Sequence, residues 1–414
     1  MEKKSIKKNY IYNMLYQMVV LLTPLVTTPY MSRVLGSAGI GTVSYIESIS
    51  SYFVLVATMG ITTYGQREIS YYQDSKKERS MVFWNTKSLE CIISGIVLIV
   101  YIIFALTRVD KTLYIIMALN ILAVFFDVTW FFPGMEEFGL VAARNIVIKI
   151  LQIIYYFSFI KTENDLWLYV LGLGVFSLIG NLSLWLGLRK FIEFVPLREI
   201  RPFTNIKTVF ILFLPTIATQ IYSVLDKTMI GVITQNAMEN GYYEQATKIS
   251  RCLIAGVTSL TAVMVPRVAF LFKQDNKKAV EELMEKSFRF LFVVSLPMCF
   301  GLMGIANNFV PWFLGDDFLN SIVLVRILAL LILATGMNSI TGSQYLIATG
   351  KENFYTKSLI IGAVINFFLN IFLIKRYNSM GAAIASVAAE MFIAGIQLFY
   401  IRKDFSIRKI LRLG

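Results

Sequence analysis

Histidine occurs nowhere in the 414 residues. Its absence removes imidazole metal ligands, Ser-His-Asp triads and histidine proton relays together. Cysteine is almost as scarce. Cys91, Cys252 and Cys299 all fall in apolar stretches and share no metal or redox spacing, so they read as small core side chains. Charge is thin too: 16% of residues are charged and 57% are hydrophobic, against about 25% and 45–50% in a soluble domain. Long polar loops are also missing. The longest interruptions between apolar runs are 189–208 and 266–289. No soluble domain can be built from them, so the net charge of +13 does not indicate nucleic acid. Membrane glycan polymerases and ligases carry a long outer loop for chemistry, and none is present. No enzyme activity is expected.

What remains is apolar chain, with a mean hydropathy of +0.65. It reads as an integral membrane protein. At roughly 20 apolar residues per helix, about twelve spans fit: 10–31, 40–63, 88–106, 113–132, 140–160, 166–188, 209–233, 242–265, 290–309, 322–348, 358–374 and 381–400. The N-terminus, "MEKKSIKKNY", leads into an apolar run that continues past Pro24 and Pro29. That run is expected to be an uncleaved first span rather than a signal peptide. "KQDNKKAVEELMEKSFRF" has the pattern of an amphipathic helix on the cytoplasmic face.

The loops carry an orientation. With the N-terminus inside, inner segments hold about 27 of the 39 cationic residues and outer loops about six: Arg33, Arg108, Lys111, Lys161, Lys375 and Arg376. Arg144 counts with the inner group. This positive-inside bias places both termini in the cytoplasm and supports an even span count. The segment near 189–208 divides the chain into lobes 1–200 and 201–414, with six spans each. The halves echo one another: both open with a proline-broken span, at Pro24 and Pro29 and at Pro215. "GTVSYIESIS" and "GYYEQATKIS" share Gly41/Gly241, Ile49/Ile249 and Ser50/Ser250. Parallel repeats about an axis along the membrane normal would give this pattern.

A dozen charged residues fall inside the spans: Lys87, Lys149, Lys227, Lys248, Arg251 and Arg326, with Glu47, Glu90, Asp127, Asp226, Glu244 and Glu390. Each costs about 2.5–3.5 kcal/mol at a helix centre. They must face the bundle interior, pair, or line a wet cavity. Glu244, Lys248 and Arg251 share one helix face at i, i+4, i+7. Lys248 and Arg251 lie roughly 10–15 Å inward from its mouth at 1.5 Å per residue, and Lys149 is also at mid-depth. Such cations favour an anion. Asp226 and Lys227 are adjacent and point about 100° apart. Lys227 is expected to face the cavity and Asp226 to reach a basic residue on a neighbouring helix. The same charges can simply lock helices together. Lys87, Glu90 and Arg326, near span ends, are expected to be structural or to snorkel. Trp130, Trp167 and Trp312 read as interfacial aromatics. Asn366 and Asn370 read as an interhelical hydrogen-bonding pair, and Asp316–Asp317 as a turn.

Several stretches occur in an order that resembles a known family. They are "TPYMSRVLG", "GTVSYIESISSYF", "FFDVTWFFPGMEEF", "YSVLDKTMIG", "GYYEQATKI", "VPWFLGDDF" and "INFFLNIFLI" followed by "GAAIASVAAEMF". The chain resembles polysaccharide repeat-unit flippases of O-antigen and capsule synthesis. These are the Wzx-type members of the multidrug/oligosaccharidyl-lipid/polysaccharide (MOP) exporter superfamily, which also contains the MATE drug exporters. The resemblance implies two six-helix lobes that rock between inward and outward openings. It implies a polyprenyl-diphosphate-linked oligosaccharide as cargo, flipped from the inner to the outer leaflet of a bacterial cytoplasmic membrane. Membrane lipids and a polysaccharide polymerase complex are the expected partners. On this reading Lys248, Arg251, Lys149, Lys227 and Arg33 bind the anionic cargo. Glu244, Asp226, Asp127 and Glu47 pair with them or carry a coupling ion, with Na+ and H+ both open. No other cofactor is expected. An ion-coupled drug exporter of the same superfamily is the alternative; it would favour an acidic cavity.

Overall fold

The computed structural model describes the backbone of residues 6–402 and 404. It describes their side chains except those of 6–13, 15, 16, 215, 218, 219, 221, 222 and 262. The basic terminal residues Lys3, Lys4, Lys7, Lys8, Lys403, Arg408, Lys409 and Arg412, and the ring of Pro215, lie outside that description. Among the described residues the regular structure is entirely helical. In chain order the helices are α1 (Ile6–Thr58), α2 (Ile61–Tyr71), α3 (Lys76–Leu106), α4 (Lys111–Phe125), α5 (Phe131–Gly134), α6 (Phe138–Phe159) and α7 (Leu166–Leu188). There follow α8 (Ile206–Thr234), α9 (Ala237–Lys273), α10 (Lys277–Leu314), α11 (Ser321–Leu328), α12 (Leu330–Asn338), a π-helical turn at Ser339–Ile347, and α13 (Glu352–Ile401).

Two of these helices are each a pair of legs. α1 breaks at Gly36 (φ 65, ψ 176) and α13 at Asn378 (φ 50, ψ −134). Both backbones are left-handed there, which glycine adopts freely and asparagine tolerates. Each break is capped by a carboxylate from elsewhere in the chain. Ser37 N–H donates to Asp317, and Ser379 N–H donates to Glu239 at 3.0 Å. A helix leg that begins abruptly leaves unpaired N–H groups and a positive dipole end, and a carboxylate answers both. With these breaks, and with α11, α12 and the π turn taken as one run, the described residues form twelve helical legs apart from short α2 and α5. The protein is an all-α, multi-pass integral membrane protein. Its outer faces are correspondingly apolar: Ile96, Ile99, Ile103, Leu186, Val293 and Phe372 are all exposed, as surfaces covered by lipid must be.

Residue contacts group the chain into two compact units. Unit 1 holds residues 1–35 and 45–224; unit 2 holds 36–44 and 225–414. In unit 1 an aromatic core of Phe83, Trp130, Phe131 and Phe132 is sealed by Ile61, Leu184 and Leu188. Trp130 is 1% exposed, so it is a core residue and not the interfacial aromatic expected. In unit 2, α9, α10, α12 and α13 pack around the π turn. There Thr341 donates to Gln397 (2.5 Å), Gln397 to Ser358 (2.8 Å) and Gln344 to Ser287 (2.7 Å). These bonds satisfy polar side chains that would otherwise be buried at a cost.

Three further expectations need correction. "KKAVEELMEKSF" is no separate surface helix: it is the first part of the continuous α10. Its charged turns simply extend a spanning helix beyond the apolar run. Pro24 and Pro29 lie within α1, whose break comes at Gly36 instead. Lys87 and Glu90 do not snorkel. They form a buried ion pair at 2.7 Å, with side chains 2% and 0% exposed.

Candidate functional site

Unit 1 encloses a cavity of about 750 Å³. One wall is α6. Arg144, Asn145, Ile148, Lys149 and Gln152 line it at the spacing that puts residues on one helix face. Lys149 Nζ donates to Gln152 Oε1 at 3.0 Å, and Gln152 Nε2 donates to the Tyr156 hydroxyl at 2.8 Å. The facing wall is the second leg of α1, with Glu47, Ser50 and Ser51. Ser50 is held by the Tyr101 hydroxyl at 2.6 Å. Glu47 lies within electrostatic reach of Lys149. Asn120 of α4, Asn181 of α7, and Thr216 and Gln220 of α8 complete a lining rich in amides and hydroxyls. Its charged side chains are Arg144, Lys149 and Glu47, a net charge of plus one. Amides and hydroxyls suit sugar hydroxyls, and the cations suit a phosphate or carboxylate.

α4 ends beside this cavity, at Phe125. A helix end inside a membrane exposes carbonyls that have no water to bind. Side chains take them instead. Asn181 Nδ2 donates to Ala123 O (2.7 Å), Trp185 Nε1 to Phe126 O (2.9 Å) and Lys87 Nζ to Asp127 O (2.6 Å). Lys87 also places its charge at the negative end of the helix. Asp127 Oδ1 accepts the Thr129 N–H at 2.8 Å. Asp127 therefore shapes the break and is not among the residues lining the cavity.

Unit 2 gathers the second group of charges. Glu244 Oε2 accepts from Lys227 Nζ at 2.5 Å and from Ser44 Oγ at 3.1 Å. Its Oε1 accepts from Lys248 Nζ at 3.1 Å. One carboxylate thus holds two lysines, from α8 and α9. Lys227 is partly buried and held in this pair. Among the described residues Asp226 forms no ion pair. Its carboxylate accepts from the Tyr243 hydroxyl (2.5 Å), the Ser386 hydroxyl and Asn370 Nδ2 (2.7 Å). Three neutral donors stabilise a half-buried carboxylate without an ion pair, so the expected basic partner is replaced by hydroxyl and amide groups. Asn370 also donates to Asn366 at 3.1 Å, the interhelical bonding role read from their spacing.

The structure therefore brings Lys227, Glu244 and Lys248 together, and separately Lys149 with Glu47. Arg251 is exposed on α9, one turn beyond Lys248. Arg33 is exposed on α1, three residues before the break. Arg326 Nε donates to Met303 O at 3.2 Å. Arg144 was the main omission. Placed with the inner-loop cations by the sequence, it sits in α6 and lines the cavity. The available signal was its i, i+4, i+8 register with Ile148 and Gln152 on one α6 face. Among the described residues, no group of three or more acidic or sulfur side chains could hold a metal ion.

Comparison with known proteins agrees with this architecture. A family described as "Polysaccharide biosynthesis protein" matches residues 6–272. A protein of Escherichia coli K12 named "Putative O-antigen transporter" is 23% identical, over 97% of this chain and 98% of its own. Among solved structures, the lipid II flippase MurJ in an inward closed conformation aligns at a TM-score of 0.73 and 14% identity. That alignment covers 98% of this chain and 89% of MurJ. An inward-facing multidrug resistance MATE family transporter of the MOP superfamily aligns at 0.69 and 15% identity, covering 95% of this chain and 97% of its own. At those identities the shared property is the fold.

Proposed function

The chain belongs to the polysaccharide biosynthesis protein family, and on that premise we propose that it is a flippase. Its cargo is a polyprenyl-diphosphate-linked oligosaccharide, carried from the inner to the outer leaflet of the bacterial cytoplasmic membrane by alternating access. Both termini are cytoplasmic. The observation that carries the reading is the cavity in unit 1: amides and hydroxyls from six helices with two cations against one carboxylate. Such a lining hydrogen-bonds sugars and attracts an anion, while the lipid tail stays in the bilayer. The near full-length match to a relative named as an O-antigen transporter supports the same cargo class. So does the fold shared with a lipid II flippase.

The protein makes and breaks no covalent bond on this reading. Transport is driven by a gradient of Na+ or H+, with Glu47, Asp127, Asp226 and Glu244 as the carboxylates available to carry it. A polysaccharide polymerase complex receives the flipped unit. An exporter of organic cations would need a negatively charged lining; the net positive one argues against it. The test is genetic. Deleting the gene in its native strain should make repeat units accumulate on polyprenyl diphosphate at the inner leaflet, with loss of surface polymer. Normal surface polymer with no accumulation would favour the drug exporter.

A further inference from the structure

The segment between α7 and α8, residues 189–205, contains a single short helical turn, Leu197–Glu199, yet it is built firmly onto α3. Four side chains from the first turns of α3 take hold of its backbone. Arg79 donates to Phe191 O through Nε (3.0 Å) and a terminal nitrogen (2.7 Å). Ser80 Oγ accepts the Glu193 N–H at 2.8 Å, and Trp84 Nε1 donates to Glu193 O at 2.9 Å. Asn85 Oδ1 accepts the Arg201 N–H at 2.7 Å. Arg79 is buried, and its guanidinium serves backbone carbonyls. A segment fixed by its backbone shows its side chains in a set order. Val195 turns inward. Phe194 packs edge-on to Trp84, with ring centroids 6.1 Å apart, but is still 78% exposed. Leu197 and Phe203 are 80% and 56% exposed. Around them stand Arg189, Lys190, Arg198, Arg201 and Lys207, all exposed. The segment has two acids, Glu193 and Glu199, and Lys76 of α3 answers Glu193 at 3.3 Å. Large apolar side chains therefore alternate with cations on a surface of net positive charge. Water suits the cations but not the three apolar side chains, and hydrocarbon suits the reverse. A bilayer boundary suits both. The segment runs from the end of one spanning helix to the start of the next, which places it at that boundary; Leu186 of α7 and Phe210 of α8, on either side of it, are exposed as well.

We propose that residues 189–207 form a platform that binds anionic phospholipid. Phe194, Leu197 and Phe203 enter the top of the acyl layer, and Arg198, Arg201 and the neighbouring cations bind headgroup phosphates. An arginine fork takes two phosphate oxygens at once. A zwitterionic lipid would cover the apolar side chains equally well but would leave the net positive charge unanswered, so charge selects the lipid class. The platform makes no use of the cavity and does not rest on the proposed cargo.

The test reads lipid contact by fluorescence quenching in the purified full-length protein, reconstituted in liposomes. The reporter is Leu197→Cys, with Cys91, Cys252 and Cys299 replaced by alanine, carrying a nitrobenzoxadiazole dye. The quencher is a nitroxide high on one acyl chain, borne by phosphatidylglycerol or by phosphatidylcholine in liposomes of the same overall composition. Phosphatidylglycerol should quench at a lower mole fraction than phosphatidylcholine. Arg198→Gln and Arg201→Gln should lower that preference roughly fivefold for each charge removed, and added salt should lower it as well. The control reporter is Leu186→Cys, on the exposed side of α7, where the two lipids should quench alike in every variant. A preference at position 197 that falls in the Arg198→Gln/Arg201→Gln variant, with none at position 186, is the expected result. Equal quenching by the two lipids at 197, a preference the double variant leaves unmoved, or an equal preference at both positions overturns the platform. Quenching by neither lipid at 197 also overturns it and leaves this surface to a protein partner. If the preference holds and the deletion strain shows no accumulated repeat unit, the proposed function fails alone.

Discussion

The Lys87–Glu90 pair allows a quantitative test of how unit 1 supports its cavity. Both side chains are within 2% of full burial, 2.7 Å apart, and Lys87 also donates to Asp127 O at 2.6 Å. Lys87→Met leaves Glu90 as an unpaired buried carboxylate and strips the cap from the end of α4. Breaking a buried pair costs about 3–5 kcal/mol, and an orphaned buried carbonyl about 1–3 kcal/mol more. Glu90→Leu leaves the lysine charge unpaired, at a similar 3–5 kcal/mol. The double variant Lys87→Met/Glu90→Leu removes both charges, so only the carbonyl cost of about 1–3 kcal/mol should remain. The double variant should therefore be more stable than either single one, with a coupling of several kcal/mol. The assay is unfolding of the purified protein by denaturing detergent, read as a double-mutant cycle. Additive single effects would falsify the view that the two charges stabilise each other, and the account of the α4 cap would go with it.

Other outcomes follow from the same geometry. Arg144→Glu or Lys149→Glu reverses the sign of the cavity lining and should abolish surface polymer while the protein still inserts; wild-type polymer from both variants would refute a cationic cavity. Lys248→Glu should also stop polymer output, because two carboxylates would then compete for Lys227, and Arg251→Glu should behave alike; normal glycan from both would remove the unit 2 charges from the mechanism. Asp226→Leu removes the acceptor shared by Tyr243, Ser386 and Asn370; Ser386 keeps Ala382 O and Tyr243 keeps Ser386, so one Asn370 N–H is left unpaired and the protein should lose about 1–3 kcal/mol, whereas Asp226→Asn should cost less. Equal losses from the two, measured by thermal unfolding, would contradict the hydrogen-bond assignment.

Much of the architecture was legible because bilayer thickness imposes a length on each apolar run, a constraint that acts locally on the chain. Where a sequence signal failed, a partner distant in sequence decided the outcome. Asp226 was expected to meet a cation because charges usually pair. In the fold it meets Ser386 and Asn370, more than 140 residues away, and no local pattern encodes that meeting. Trp130 resembles an interfacial aromatic because it follows an apolar run. The early end of α4 turns it into the core beside Phe83 instead. Arg144 was counted with the inner cations although the expected span 140–160 contains it, because its lining role shows only on the assembled α6 face. Pro24 and Pro29 drew attention as breakers, yet a helix can pass a proline, and it was Gly36 with an acceptor at Asp317 that divided α1. "GDDF" was read as a turn, and it is one. Its second role, capping a helix leg 280 residues upstream, was invisible without coordinates.

The central claim is that this chain moves a lipid-linked glycan across a bilayer. The most direct measurement reconstitutes the purified protein in liposomes carrying polyprenyl-diphosphate-linked oligosaccharide in both leaflets, with a membrane-impermeant enzyme outside that trims the exposed glycan. The account predicts that trimming passes the half expected of the outer leaflet and approaches completion with wild-type protein, while liposomes with the Arg144→Glu/Lys149→Glu variant stop near one half. Trimming that halts at one half with well-folded wild-type protein, under both Na+ and H+ gradients, would contradict it.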